Sequence, residues 1–277
     1  MKPVPFTYIQ PRSVQHILDA LAEYGSDARI MAGGQSLMAM LNLRLVEPKV
    51  LIDISRLEEL RNIRIDDNFI EVGAAVTQAE FLSWPHLEQE APFIARALPW
   101  VGHFQTRNRG TVCGSICHAD PSSEIPLALA LLQGEVVLRS KRGERRLKAA
   151  QFQTGMLQTA RGDDELVVAV RFPRGVGTKG VAFREVARRH GDFAIVSVGI
   201  VDTGAGMLRI AVGGVADRPS CIEVPRTISS SDLAAIVETF AWDLGGFDDL
   251  HASARFRRDL VRRLVPSLVV ETLQCAA

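Results

Sequence analysis

The pattern of apolar residues over the first 55 positions predicts a β-α-β unit. A short strand spans Tyr8–Gln10, and Ser13 then caps a helix that runs to about Glu23. A brief buried strand follows at Ala28–Met31, then a short helix at Leu37–Leu43 and a strand at Val50–Ile54. The segment 32–37 therefore comes at the carboxyl end of a strand, which is where ligands of α/β sheets bind.

A second unit begins near Arg61 and alternates short strands with helices. Thr77 and Glu80 form a capping box that starts a helix. The Asp66-Asp67-Asn68 turn joins the first two strands. The predicted strands are 63–65, 69–72, 136–138, 145–147 and 166–172, and the predicted helices are 78–83, about 87–98 and an apolar segment from 125 to 134.

The pattern changes after Pro173, where Gly175, Gly177 and Gly180 flank a polar connector that we take as a domain boundary. The sequence thus predicts domains at 1–173, with lobes of about 1–55 and 56–173, and at 174–277. The second domain is predicted to hold a three-stranded antiparallel sheet and two helices. The strands are 181–186, 194–201 and 208–212, and the helices are about 232–240 and 253–264. Five arginines of the last helix (Arg255, Arg257, Arg258, Arg262 and Arg263) are predicted to form a solvated face or to pair with an acidic patch on another subunit.

Composition narrows the class of protein. The 277 residues include 32 Lys plus Arg and 32 Asp plus Glu, which gives a formal net charge of +0. No basic field is available for nucleic acid or anionic lipid. The amino terminus lacks the apolar core of a signal peptide, and no apolar run is long enough to span a membrane. We therefore expect a soluble, cytoplasmic protein.

Cysteine usage argues against a metal centre in this chain. The four cysteines lack the paired spacing of a zinc or iron–sulfur site. Cys113 and Cys117 lie close enough in sequence to share a metal, but the simpler interpretation is that both are small, semi-buried residues. No nucleophile elbow is present, so no catalytic residue is predicted.

Two glycine-bearing loops carry the functional signal. One is A-G-G-Q-S-L at 32–37, and the other lies within the T-R-N-R-G-T-V-C-G-S-I-C-H-A-D-P-S-S-E-I-P segment at 106–126. Consecutive backbone N–H groups in such loops suit an anion. A helix beginning just after the second loop, capped by Asp120, Ser122 or Ser123, would add its positive end. The loops predict one diphosphate ligand held between them, although no G-x-G-x-x-G is present and each loop alone could be a structural turn.

These two segments, together with R-E-V-A-R-R-H-G-D-F-A at 184–194, resemble the FAD-binding medium subunit of the molybdenum hydroxylases. This is the family of xanthine dehydrogenase and carbon monoxide dehydrogenase. The resemblance covers essentially the whole chain and implies an α+β fold. A two-lobed FAD-binding domain of the p-cresol methylhydroxylase type would be followed by a small C-terminal domain.

The resemblance also implies which residues bind FAD. The first loop would hold the diphosphate through Ala32, Gly33, Gly34, Gln35, Ser36 and Leu37. The second loop would contribute Thr111, Gly114 and Ser115, with Asp120 and Glu124 nearby. Leu166, Val167, Asp192 and Phe193 match positions close to the flavin ring, although ordinary core packing is an equal alternative for Phe193. Cys113 departs from the family pattern, which has glycine there, so its contact with FAD is left open.

The implied function is electron transfer without general acid–base catalysis. FAD in this chain would receive electrons from two [2Fe–2S] clusters of a small subunit and pass them to an external acceptor. A large subunit with molybdopterin cytosine dinucleotide would oxidise the substrate, and the complex would be a dimer of heterotrimers. The alternatives are a self-sufficient flavin-dependent oxidase or reductase of the same fold, or a non-catalytic nucleotide-binding or assembly module.

Overall fold

The computed structural model describes residues 2–274 and begins with a three-stranded parallel sheet of order β1-β3-β2. Its elements are β1 (Thr7–Ile9), α1 (Val14–Tyr24), β2 (Ala28–Met31), α2 (Leu37–Asn42) and β3 (Val50–Asp53), with a 3₁₀ turn at Gly25–Asp27. Ser13 accepts a hydrogen bond from the His16 backbone N–H and so caps α1 as predicted. The β-α-β prediction is confirmed. Because the strands are parallel, the loop after β2 and the end of β3 lie at the same edge.

The second unit is a five-stranded antiparallel sheet of order β4-β5-β10-β6-β7. Its strands are β4 (Ile63–Ile65), β5 (Phe69–Gly73), β6 (Glu135–Ser140), β7 (Gly143–Lys148) and β10 (Leu166–Pro173), and β8 (Gln153–Gly155) with β9 (Gln158–Thr159) forms a separate hairpin. Its helices are α3 (Gln78–Leu82), α4 (Leu87–Glu90), α5 (Pro92–Ala97), α6 (Phe104–Arg107), α7 (Val112–His118), α8 (Glu124–Leu131) and α9 (Ala149–Phe152), with 3₁₀ turns at Glu58–Leu60 and Leu98–Trp100.

The helix predicted over 87–98 is interrupted in the structure. Pro92 lacks a backbone N–H and restricts Ala91, which adopts φ −141° and ψ 63°. The segment therefore forms α4 and α5 separately. The predicted capping box between Thr77 and Glu80 is present at the start of α3.

The third unit is an antiparallel sheet of four strands, one more than predicted, in the order β11-β12-β13-β14. It contains β11 (Val181–Val186), β12 (Val196–Asp202), β13 (Met207–Gly213) and β14 (Ser220–Pro225), followed by α10 (Ser230–Asp243) and α11 (Ala254–Gln274). The sequence analysis missed β14 because this edge strand has few apolar residues and a proline at its end. Helix α11 continues through Pro266, well past the predicted end.

The predicted solvated arginine face on α11 is wrong for one residue. Arg257 is 2% exposed, and its guanidinium donates to the Ile195 and Gly214 carbonyls at 2.6 and 2.7 Å. It also donates to Asp249 at 2.6 Å and packs over the Phe247 ring. A buried guanidinium is tolerated here because Nη1 and Nη2 donate to these acceptors, although Nε has no hydrogen-bond partner among residues 2–274.

The C-terminal sheet packs directly on the second unit. Phe183 of β11 meets Phe93 of α5 edge to face, with ring centroids 6.0 Å apart. A Cβ atom on Gly199 would be 2.5 Å from the Phe93 ring, so glycine is what lets the ring approach the sheet. The backbone N–H of Gly214 donates to the Pro121 carbonyl at 2.8 Å. This interface therefore reaches the segment that follows the second glycine loop.

None of the helices within residues 2–274 is long and apolar enough to cross a membrane.

Candidate functional site

The two glycine loops meet backbone to backbone. A Cβ atom on Gly33 would be 2.7 Å from the Cα atom of Gly110 and closer still to the Arg109 carbonyl oxygen. Gly34 has φ +71°, which favours glycine, and turns the chain into α2. Residue 33 therefore has to be glycine for the loops to touch. The structure brings together the loops that the sequence predicted to converge.

The second loop is held by residues at and just before the start of α3. The Gln78 backbone N–H donates to the Gly110 carbonyl at 2.8 Å, and the Val112 N–H donates to the Val76 carbonyl at 3.2 Å. These bonds fix the loop on the edge of the second unit. They also explain why the chain reaches Gly33 at one defined place.

Helix α7 starts inside the segment that the sequence analysis took as an extended loop. Thr111 caps it, accepting a hydrogen bond from the Gly114 N–H at 2.9 Å. The prediction of a helix only after Asp120 was wrong because Gly114 suggested loop, whereas the threonine cap favours helix. The first loop leads into α2 and the second into α7, so two helix N-termini follow the meeting point.

Cys113 does not face the meeting point of the loops. Its side chain is buried, and the thiol donates a hydrogen bond to the Val72 carbonyl at 3.4 Å. Burial raises the pKa of this thiol well above its usual value. Residue 113 lies in the first turn of α7, where a side chain with Cβ fits an ordinary helical φ. The cysteine side chain that replaces the family's glycine is thus accommodated in the core of the second unit.

The segment after α7 links the second loop to α8. Ser123 is the N-cap residue of α8, but its hydroxyl lies 3.1 Å from the Ser115 hydroxyl instead of capping the helix. Asp120 accepts a hydrogen bond from the Ser122 N–H at 2.8 Å and so forms a local turn. Of the three predicted caps, only Ser123 occupies the N-cap position.

Glu124, the first residue of α8, is buried beside the C-terminal sheet. Burial raises the pKa of its carboxyl to about 7. The side chain faces Glu185 of β11 and also borders a small cavity that is otherwise lined by apolar residues. Its surroundings favour a protonated or shared carboxyl over an isolated anion.

The residues predicted to lie near a flavin ring fall on two other elements. Leu166 and Val167 are buried at the start of β10. Asp192 and Phe193 lie in the connection between β11 and β12, where the Phe193 side chain is 62% exposed. That exposure excludes the alternative that Phe193 is a core residue. A Cβ atom on neighbouring Gly191 would be 2.5 Å from the His103 ring, so this connection packs just before α6 and the second loop.

Sequence reasoning missed a buried acidic residue beside the first loop. Asp53 ends β3 and pairs in register with Met31, the last residue before the loop. It accepts hydrogen bonds from the Tyr8 hydroxyl at 2.6 Å and from the Ser55 N–H at 2.9 Å. Burial opposes its ionisation, but these bonds and the charge of Arg109 in the second loop lower its pKa overall. The signal was available: an acidic residue directly after a buried strand at the carboxyl edge of a parallel sheet.

Comparison with known proteins gives a consistent result. Residues 4–175 match the family described as the FAD binding domain in molybdopterin dehydrogenase. The full chain is 36% identical to the 6-hydroxypseudooxynicotine dehydrogenase complex subunit alpha of Paenarthrobacter nicotinovorans and covers 97% of it. It is 38% identical to the caffeine dehydrogenase subunit beta of Pseudomonas sp. (strain CBB1) over 79% of this chain and 76% of that one.

A solved structure agrees over the whole length. A chain of quinoline 2-oxidoreductase from Pseudomonas putida 86 superposes with a TM-score of 0.92 at 32% sequence identity. The match covers 100% of this chain and 99% of the other, and therefore includes the C-terminal sheet.

Proposed function

Because this chain belongs to the family of FAD-binding medium subunits of the molybdenum hydroxylases, we propose that its two converging loops hold the diphosphate of FAD. The observation that carries the proposal is the contact of Gly33 with the backbone of Arg109 and Gly110. A diphosphate needs donors from both sides at close range, and backbone N–H groups at two adjoining helix starts supply them.

The donor set fits this cofactor. The backbone of Arg109 and Gly110 already occupies the position that a Cβ atom on Gly33 would need, so the diphosphate would lie beside this contact, bound by amides without any basic side chain. Gly33, Gly34, Gln35 and Ser36 would bind it from one side, and Thr111, Gly114 and Ser115 from the other. The residues proposed to contact the rest of the FAD molecule are Ala32, Leu37, Asp120, Glu124, Leu166, Val167, Asp192 and Phe193.

The chain is the flavoprotein subunit of a heteromeric oxidoreductase. Bound FAD supplies the electron-transfer chemistry, taking electrons from the [2Fe–2S] clusters of a partner subunit and delivering them to an external acceptor. The residues of this chain bind and orient the cofactor. The self-sufficient oxidase is not favoured, because the relatives are named as subunits or medium chains of dehydrogenases.

The partners are a large molybdopterin subunit and a small iron–sulfur subunit, and we propose a dimer of heterotrimers in the cytoplasm. The free thiols of Cys113, Cys117 and Cys221 are consistent with a reducing compartment. We retain the division into domains at 1–173 and 174–277, supported by the end of β10 at Pro173 and the start of the C-terminal sheet at Val181.

Two measurements on the purified chain test the function. The proposal predicts one bound FAD per chain, visible as a flavin absorption spectrum, and no reduction of that flavin by substrate until both partner subunits are added. A chain that lacks flavin and does not take up added FAD would contradict the proposal. Reduction by an organic substrate without the partners would instead support the self-sufficient enzyme.

A further inference from the structure

Two buried carboxyl groups face each other where the C-terminal sheet packs on the FAD-binding domain. Glu124 begins α8 and is 5% exposed, and Glu185 lies on β11 and is 8% exposed. Neither carboxylate oxygen of Glu185 has a hydrogen-bond donor in the structure of residues 2–274. The group that Glu185 faces is the Glu124 carboxyl. Two acceptors in contact form a hydrogen bond only if one of them carries a proton.

Hydrogen bonds from its own backbone and from the Ser123 side chain favour the ionised form of Glu124, but burial outweighs them, and no such donor acts on Glu185. Glu185 lies opposite Ser197 in the strand pair, and Ser197 lies opposite Gly213. The Ser197 hydroxyl is also buried without a partner in the part of the chain described. A Cβ atom on Gly213 would be 2.7 Å from that hydroxyl and 3.0 Å from the Pro121 carbonyl oxygen. The sheet therefore closes tightly over the segment that leads to Glu124.

Within residues 2–274, no positively charged side chain is among the groups that shift the pKa of the two carboxyls. Asp120, on the segment before α8, adds a further negative charge. Helix α5 also packs against β11, but its Arg96 pairs with Glu271 of α11 at 3.6 Å. Arg184 precedes Glu185, projects to the opposite face of β11 and pairs with the same Glu271 at 2.8 Å. Two ionised carboxylates at this interface would repel each other without compensation.

Burial is the main cause that raises both carboxyl pKa values, that of Glu124 to about 7 and that of Glu185 to about 8. The two carboxyls face each other and titrate as one unit. Near neutral pH the pair holds a proton that an exposed glutamate would have lost.

The geometry points to a proton shared between Glu124 and Glu185 that holds the C-terminal sheet against the segment following the second loop. Glu185 is then a positioning residue. It acts through Glu124 and the adjoining Ser123, whose hydroxyl contacts Ser115. The inference stands whether or not the loops bind FAD.

The shared proton makes the stability of this interface depend on pH. The folded pair binds its proton more tightly than unfolded glutamates, whose pKa is near 4.5. Its contribution is fully present below that value and is lost as pH rises through about 7 to 8. Between about pH 4.5 and 7 the folded pair holds a proton that the unfolded chain has lost, which changes the unfolding equilibrium by about tenfold per pH unit.

Infrared difference spectroscopy and thermal unfolding of the full chain test the proposal together. Glu185→Gln and Glu124→Gln each replace the shared proton with an amide donor, so each variant should keep the contact without needing a proton. The matched control is Glu165→Gln. Glu165 is equally buried, but its ion pair with Arg145 at 2.6 Å is the main cause that lowers its pKa.

The wild-type chain should show a protonated-carboxyl stretch at pH 6 that fades between about pH 7 and 9. Its unfolding midpoint should fall between about pH 5 and 8 and then level off. Both changes should be lost in Glu185→Gln and Glu124→Gln and kept in Glu165→Gln. Absence of the stretch from the wild type, or its persistence in both pair variants, would overturn the proposal. Circular dichroism of each variant establishes that it is folded.

Discussion

The Cα atom of Gly110 occupies the space that a side chain on Gly33 would need, because a Cβ atom at residue 33 would be 2.7 Å away. Each loop is shaped by a different unit of the fold: the first follows the parallel sheet, and the second is hydrogen-bonded to residues at and just before the start of α3. Their contact joins the two lobes at the proposed diphosphate site.

Gly33→Ala should separate the loops. The added methyl group meets backbone atoms, which cannot move aside as a flexible side chain can, and we expect a loss of about 1–3 kcal/mol in stability. FAD affinity should fall at least about tenfold because the donors no longer converge. Isothermal titration of the apoprotein with FAD measures the affinity.

Gly155→Ala is the matched control for that substitution. A Cβ atom there would make ordinary contacts, the nearest at 3.5 Å to Asp217. The control should unfold within about 1 kcal/mol of the wild type and bind FAD normally. Unchanged FAD affinity in Gly33→Ala would contradict the role given to the contact.

Thr111→Ala should loosen the start of α7. It removes the hydroxyl that accepts the Gly114 N–H at 2.9 Å, which costs about 1 kcal/mol for a capping residue. FAD should also dissociate faster, since the same turn is proposed to bind the diphosphate. Thr111→Ser keeps the hydroxyl and should restore both properties in stopped-flow and thermal-unfolding measurements. Equal behaviour of the alanine and serine variants would refute the capping role.

Cys113→Ala should leave FAD binding unchanged. The thiol contacts the Val72 carbonyl within the core of the second unit and does not reach the loops. We expect a stability loss of about 1 kcal/mol from the lost sulfur contacts and an unchanged flavin content per chain. A variant that folds but is isolated without flavin would show that residue 113 contacts the cofactor.

Tyr8→Phe should raise the pKa of Asp53 by removing a hydrogen bond to its ionised form. A lowered carboxyl pKa contributes stability that is present above the unfolded value near 3.8 and is lost as pH falls. The variant should therefore lose stability mainly at neutral pH and approach the wild type in acid. Because Tyr8 is half exposed, we expect a difference of about 1 kcal/mol at pH 7. A difference independent of pH would contradict this account.

The sequence predicted the local features that rest on strong side-chain signals. The Ser13 cap, the Thr77–Glu80 capping box and the strand before the first loop are all specified by neighbouring residues. The meeting of Gly33 with Gly110 followed only from the assumption of a common ligand. The structure supplies the reason that the sequence could not, namely the bonds from the Val76–Gln78 segment that place the second loop.

The features that sequence reasoning missed depend on tertiary contacts. Arg257 is buried because the Ile195 and Gly214 carbonyls and the Asp249 carboxylate accept hydrogen bonds from its guanidinium. The periodicity of apolar residues along α11 does not reveal these tertiary contacts. From the sequence, Glu185 is an ordinary polar residue of a strand. Only the structure shows that it is buried against the start of α8. The segment that forms α7 was predicted as a loop because it contains glycine, which is more common in loops than in helices.

The most direct test is an experimental structure of the chain with FAD bound. The account predicts the diphosphate at the junction of the two loops, within hydrogen-bond distance of backbone N–H groups from both the 33–36 and the 111–115 segments. A diphosphate bound elsewhere, or one contacted by a single loop, would contradict it.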